Sequence, residues 1–281
     1  MIRDLLGGEP SLSFEFFPPA DAQGRARLNA TIDELADLSP TFVSVTCGAG
    51  GQGHDRTRDI VVDIATGRSF PAMAHLTCVG HTRAEVDDLL ADYAEHGVDD
   101  VLALAGDPPP DGTPPRGDFT YASELVDVAG ARGDFSICVA AHPEVHPRSP
   151  DRASDRRHLA DKLERADFAI TQFFFDASLY RRLVDELADL GCDKPIVPGL
   201  FPVTAPKTVR RFAAMNGTAV PEDLFARLEA AQPGDRRAIA VEAAAVLGQD
   251  LLDAGAPGLH VYTMNRPETA VALVRALGLR P

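Results

Sequence analysis

The chain of 281 residues contains no apolar stretch long enough to span a bilayer, which takes about 18 residues or more, and its opening, MIRDLLGGEP, lacks the basic-then-apolar order of a secretory leader. A membrane location and export are therefore disfavoured, and a cytoplasmic protein is expected. Cysteine is scarce: Cys47, Cys78, Cys138 and Cys192 lie far apart with no C-x-x-C pair, which excludes a zinc ribbon and a dithiol redox motif. Three of the four fall in apolar, strand-like runs, so buried reduced thiols are expected. Positive charge is also short, with 27 Lys and Arg against 42 Asp and Glu, a formal net charge of -15, and no basic run. Such a surface repels polyanions, which disfavours a nucleic-acid partner. An anionic small ligand would have to be met locally, by helix N-termini and isolated basic residues. Finally, no G-x-G-x-x-G links a first strand to a first helix; Gly48, Gly50, Gly51 and Gly53 follow the second apolar run with the wrong spacing for a dinucleotide fingerprint.

What is present is alternation. Eight short apolar runs rich in Val, Ile, Phe and Leu cover residues 12–17, 42–47, 72–79, 101–105, 137–141, 168–175, 195–201 and 259–263, each followed by a segment of helical period. Thr82 and Glu85 form a capping-box pair ahead of the stripe Val86, Leu89, Leu90, Tyr93 and Ala94, and Gly97 stops that helix. Asp176 caps a second, with Leu179, Leu183, Leu187 and Leu190 on one face and Gly191 at its end. Thr204 followed by Pro206 opens a third. The spacer before the last run is long enough for extra helices over residues 219–254. Eight near-continuous apolar strands separated by helices predict an α/β fold of the (βα)8 TIM-barrel type, a single domain over residues 1–281.

Chemistry in such a barrel sits at the C-terminal ends of the strands. Glu15, Thr46, His75, Thr77, Asp107, His142, Glu144, His146, Gln172, Asp176, Asn265 and Arg266 all fall there. Glu15 lies in Phe14-Glu15-Phe16-Phe17-Pro18-Pro19, where aromatic neighbours and a proline pair are expected to exclude water, raise the carboxyl pKa and make it a proton donor; a structural ion pair, with Arg266 for example, is the competing reading. Asp107 follows Gly106 and precedes three prolines, a stiff loop that suits a recognition carboxylate, or a turn aspartate bonded to its own loop. His142, Glu144 and His146 have the spacing of metal ligands only on a helix. Pro143 between them and Pro147 just after make the segment extended, so no metal is expected.

Four segments, SFEFFPP (13–19), AGDPP with YASEL (105–125), PEVHP with ITQFFFD (143–176) and GLHVYTMNR (258–266), occur in order at successive strand ends. On these the chain resembles the methylenetetrahydrofolate reductases of the bacterial, catalytic-domain-only type, through essentially its whole length. The resemblance implies a barrel that binds FAD, is reduced by NAD(P)H (here NADH), and passes hydride to 5,10-methylenetetrahydrofolate, giving 5-methyltetrahydrofolate for methionine synthesis. It implies that Glu15 is the acid that helps open the one-carbon bridge, that Asp107 serves both flavin and folate, and that Gln172 and Arg266 bind the substrate. It places Thr46, Ala49, His75, Gly106, Asp107, Tyr121, Ala122, His142, His146, Asp155, His158 and Lys162 against the flavin, with Lys162 facing the nucleotide phosphates, and implies a homo-oligomer. Without a C-terminal regulatory domain, control by S-adenosylmethionine is not expected. The chain departs from the family pattern where Ala105 replaces an arginine, Cys47 an aromatic residue and His142 a tyrosine. A lost guanidinium removes about 1.5–3 kcal/mol of charge-assisted bonding to the flavin. This keeps open direct hydride transfer from NADH without flavin, and a non-catalytic folate-binding barrel remains the alternative outside enzymology. Pro206 also replaces an aromatic, so that stacking passes to Phe201 or Phe174.

Overall fold

The computed structural model describes residues 1–48, 54–107 and 117–279. A short 3-10 turn (Ile2–Leu5) precedes an alternation of strands and helices: β1 (Ser11–Phe16), α1 (Ala22–Ala36), β2 (Phe42–Val45), α2 (His54–Gly67), β3 (Ala72–Thr77), α3 (Arg83–Glu95), β4 (Asp100–Leu104), α4 (Ala122–Arg132), β5 (Ser136–Ala141), α5 (Arg152–Leu163), β6 (Phe168–Thr171) and α6 (Ala177–Ala188). The chain continues through β7 (Ile196–Val197), β8 (Gly199–Leu200), α7 (Pro206–Asn216), α8 (Glu222–Ala230), α9 (Pro233–Asp253), β9 (Gly258–Tyr262) and α10 (Pro267–Ala276). All strand pairings among the described residues are parallel, in the order β7-β6-β5-β4-β3-β2-β1-β9-β8. The protein is a TIM barrel, and α8 and α9 are the extra helices expected before the last strand.

The seventh of the eight expected strands is broken in two. Pro198 separates β7 from β8 and has no N–H to donate to a ladder, so β7 pairs with β6, and β8 with β9. The ring closes through this stretch. Side chains supply what the short ladder cannot: Gly199 N–H donates to Thr171 Oγ1 at 2.9 Å, and the Tyr262 hydroxyl donates to the Thr171 carbonyl at 2.6 Å. The seam has no spare room, because a Cβ on Gly199 would stand 2.4 Å from the Thr171 carbonyl oxygen and 2.5 Å from the Tyr262 ring.

Strand alternation divides the core. Outward-facing residues such as Leu12, Phe14, Phe16, Ala74, Leu76, Val101 and Val139 pack under the helices. The lower interior is filled by Ile2, Phe42, Met73, Leu102, Cys138, Phe168, Ile170 and Val197. Ile2 on the 3-10 turn closes the bottom, and its N–H donates to Asp100 Oδ1 at 2.7 Å; burial pushes the Asp100 carboxyl up to about 6. A third cluster, including Phe173, Phe201, Val209, Phe225 and Leu228, joins the barrel to α7, α8 and α9.

Local signals worked as the sequence suggests in α3, where Thr82 and Glu85 exchange both capping-box bonds, and in α6, where Asp176 accepts from Ser178 N–H at 2.8 Å. Helix α7 differs: Ala205 holds the cap position without a side-chain bond, and Pro206 in the first turn, not Thr204, sets the start. All four thiols are free, yet only Cys78 and Cys138 are buried; Cys47 and Cys192 are half-buried, Cys47 because it stands at the barrel rim beside His54 Nε2 at 3.2 Å.

Gly199→Ala should cost about 1–3 kcal/mol through overpacking at the seam and lower the melting temperature by roughly 2–4 °C for each kcal/mol. Gly67→Ala, whose added Cβ meets nothing within 4 Å, is the control and should melt as the parent does. Equal melting temperatures for the two variants in a thermal scan would refute the account of closure.

Candidate active site

Above the apolar plug the interior turns polar and opens into a cavity of about 340 Å³ at the C-terminal mouth of the barrel. Its walls bring together Glu15, Thr46, His75, Asp107, His142 and Gln172 from five different strand ends and one loop. Glu15 is directed here by alternation, which sends Phe14 and Phe16 to the opposite face of β1. Of its aromatic sequence neighbours, Phe14 and Phe16 pack their rings into the core under the helices, while the exposed Phe17 lines the mouth with it. The carboxyl stands between two imidazoles, with Oε2 at 3.5 Å from His75 Nε2 and 3.8 Å from His260 Nε2, and is not paired with Arg266. Burial pushes His75 down to about 4, so this ring is neutral at pH 7. Gln172 Oε1 accepts from Phe173 N–H at 2.9 Å, and the exposed Asp107 closes one side of the mouth.

The rim is aromatic. Phe173 and Phe201 meet edge to face at 5.2 Å between centroids, and Phe201 stacks on Tyr262 at 6.0 Å. Phe212 and Asn216, four residues apart on α7 and so on one helical face, reach the same cavity. The stacking surface expected from Phe201 or Phe174 forms from Phe201 with Phe173 and Phe212. Phe174 is fully buried under the helices because it points the other way from Phe173. Met264 and Asn265 follow β9 in the left-handed region, with φ of 51° and 53°. Asn265 bonds both backbone groups of Phe17 (3.1 and 2.9 Å), which fastens the end of β1 to the end of β9 and turns Met264 into the mouth.

A second cavity of about 610 Å³ adjoins the first, sharing Ala140 and His142 in its walls. It is lined by Tyr121, Ala122, His146, Asp155, His158 and Lys162, and Arg148 and Arg165 add positive charge. Lys162 is nearly enclosed: its ammonium donates to the Ala140 carbonyl at 3.3 Å, no carboxylate among the described residues lies within 4 Å, and burial pushes its pKa down. His142 and His146 stack with centroids 4.5 Å apart and planes at 17°, and burial holds His142 at about 4. Lone pairs in two parallel ring planes cannot converge on one ion, so this pair is not a metal chelate.

Gly106, at φ +80°, lies between the two cavities; a Cβ there would sit 3.1–3.2 Å from Thr77 and Val79. Asp155 is buried and already committed, accepting from His146 N–H and Ser149 Oγ and pairing with Arg156 at 2.6 Å. Arg156, which the sequence did not single out, is 2% exposed and donates to the carbonyls of His142, Pro143 and Glu144 as well as to Glu186. It fixes the backbone that carries both histidines. Arg266 stands apart: it is exposed, caps the start of α10 and lines a small depression with Pro202 and Thr204 rather than either cavity. Ala49 lies outside the described residues. His260, Tyr262, Phe212, Asn216 and Arg148 went unassigned in the sequence; the period-two spacing of His260, Tyr262 and Met264 is the signal that marks an inward row on β9.

A TIM barrel with a carboxylate between two imidazoles at its mouth, and a cavity carrying Lys162, Arg148 and Arg165 alongside, is built as an enzyme. The sequence pattern of the family described as methylenetetrahydrofolate reductase matches residues 1–278. The chain is 38% identical over 279 residues to 5,10-methylenetetrahydrofolate reductase of Pectobacterium carotovorum subsp. carotovorum, covering 98% of this chain and 93% of that protein. Against the enzyme of that name from Escherichia coli (strain K12) it is 36% identical over 277 residues, with the same coverage. A solved structure of an uncharacterized Clostridium thermocellum protein, described as binding two copies of 5-methyl-5,6,7,8-tetrahydrofolic acid, shares the fold with a TM-score of 0.63 at 12% identity and 96% coverage of both chains. The chain belongs to the methylenetetrahydrofolate reductase family, and it is an oxidoreductase of that family.

Arg156→Ala leaves Asp155 and three carbonyls without their cation, and such removals cost about 3–5 kcal/mol. Denaturant unfolding should show that loss, while Arg165→Ala, whose partner Asp127 is exposed, should change stability by less than about 1 kcal/mol.

Proposed function

We propose that this barrel, read as one domain over residues 1–281, reduces 5,10-methylenetetrahydrofolate to 5-methyltetrahydrofolate with NADH, holding FAD in the second cavity and its continuation into the mouth, in the cytoplasm and in support of methionine synthesis. No helix among the described residues is long and apolar enough to cross a membrane. The observation that carries the reading is Glu15 at the floor of the mouth, with Asp107 and Gln172 in the same walls.

The bridging methylene accepts hydride only as an open iminium cation. Glu15 gives a proton to the departing bridge nitrogen, and the facing His75, neutral and only 3.5 Å away, does not tie the carboxyl into an ion pair. Asp107 offers its charge to the cation as it develops. Gln172 supplies both a donor and an acceptor to the pterin edge, and Phe201, Phe173 and Phe212 form the surface against which that ring stacks. Water is held back by the apolar floor below Glu15 and by α7 above.

The second cavity suits a dinucleotide. A largely enclosed ammonium at Lys162 with no carboxylate among the described residues within 4 Å, and a buried His142 Nδ1 without a partner, are groups that a phosphate and a polar ring would satisfy. Arg148 and Arg165 provide positive charge where Ala105 provides none, and Tyr121, 61% exposed, offers a face for stacking. When bound, FAD supplies the redox centre that lets nicotinamide and folate use one mouth in turn. Ala105 and the half-buried Cys47 favour a second reading, direct transfer from NADH with no flavin.

Freshly purified protein should show flavin absorbance, and Lys162→Met should retain less flavin through desalting. A colourless protein fully active without added flavin would remove FAD from the proposal and leave direct transfer. Glu15→Gln should lower kcat by about 10²–10⁴-fold in methylenetetrahydrofolate-dependent NADH oxidation while leaving nucleotide binding intact. Full activity of that variant would refute the acid assignment, and parent protein that binds folate without oxidising NADH would make it a binding barrel.

A further inference from the structure

We propose that His260 is a positioning residue for Glu15: an imidazole locked inside the barrel that sets the direction of the carboxyl while withholding an N–H from it. The inference rests on the reading of Glu15 as proton donor. His260 is 0% exposed and lies on β9 directly below the mouth, where β1 and β9 place Ser13 opposite it in register. Its ring stacks on Phe42 at 5.9 Å and meets Tyr262 edge to face at 5.5 Å, which fixes the ring plane.

Both ring nitrogens are engaged. Ser13 Oγ donates to the Leu259 carbonyl at 3.3 Å, which leaves a lone pair to accept from His260 Nδ1–H at 2.8 Å. In the arrangement we propose, the ring is the Nδ1–H tautomer and Nε2 carries the lone pair. Ser44 Oγ donates to that nitrogen at 3.3 Å, and Glu15 Oε2 stands 3.8 Å from it. On the other side His75 Nε2 approaches the same oxygen at 3.5 Å without a hydrogen bond. Glu15 Oε2 is thus held between two imidazole edges, at 3.5 and 3.8 Å, neither of which hydrogen-bonds to it. The carboxyl's hydrogen bonds stay available to a ligand above. A leucine at position 260 would fill the space and lose the direction. A donor there would pair with the carboxylate.

The test is steady-state kinetics of His260→Asn, His260→Gln and Ser13→Ala with methylenetetrahydrofolate and NAD(P)H, run beside Glu15→Gln and preceded by thermal scans. Asparagine can keep the Ser13 bond but cannot reach the Nε2 position, so kcat should fall about 10-fold or more with the folate KM within about twofold. Glutamine returns a polar atom to that position and should recover most of the loss. Ser13→Ala, a small change, frees the ring and should lower kcat about 3- to 10-fold with little effect on melting. His260→Asn and Ser13→Ala at parental kcat, a rise in KM alone, or glutamine no better than asparagine would each overturn the proposal. An inactive Glu15→Gln beside a fully active His260→Asn rejects this inference only. An active Glu15→Gln rejects the acid assignment itself.

Discussion

A barrel of alternating strands fills its interior with every second residue, and here that inward row changes character halfway up. Below, Phe42, Met73, Leu102, Cys138, Phe168 and Ile170 make a dry plug closed by Ile2. Above, Ser13, Ser44 and His260 form a buried, mutually bonded polar layer, on which His75 and the half-buried Glu15 stand with hydrogen bonds to spare. The position of Glu15 depends on this change. A one-residue shift of β1 would send Glu15 under the helices and Phe14 into the mouth, so the parallel register with β2 and β9 fixes the chemistry as firmly as it fixes the fold.

Charge follows a similar local logic. A chain of net charge -15 opposes an anionic ligand at long range, yet the second cavity collects Lys162, Arg148 and Arg165 beside Asp161 and an Asp155 that Arg156 already pairs. Screening over about 8–10 Å in physiological salt lets that local set act against the global field. The two buried cations do different work. Arg156 is saturated by Asp155, Glu186 and backbone carbonyls and contributes structure. Lys162 has one carbonyl for a partner, and its desolvation disfavours the charged form until an anion arrives.

The eight-fold alternation, the extra helices and most of the mouth were legible in the sequence because they depend on period and on strand ends. Glu15, His75, Asp107 and Gln172 converge as their strand-end positions require. What was not legible depends on direction or distance. Phe14 and Phe16 flank Glu15 in sequence but not in space, Phe173 and Phe174 face opposite ways, and Pro198 divides a strand that reads as continuous. Arg266 lies in the right motif yet caps a helix outside both cavities. Arg156 was hidden for another reason: its partners are mostly carbonyls, and a carbonyl leaves no mark on the sequence.

The loop from residue 142 to 146 joins these parts. His142 lines both cavities, and Arg156 fixes the carbonyls of residues 142–144. The Glu144 carboxyl accepts from Ala219 N–H at 2.7 Å, just past the end of the helix that carries Phe212 and Asn216 over the mouth. Gly217 ends α7 at φ +72°, within ordinary contact distance of Pro147, which brings the end of that helix against the loop. The wall of the second cavity and the support of the roof of the first are thus the same segment. A barrel with separately walled cavities would hold each with its own set of bonds; here one wall, stiffened by Pro143 and Pro147 and stapled by Arg156, holds His142 for both.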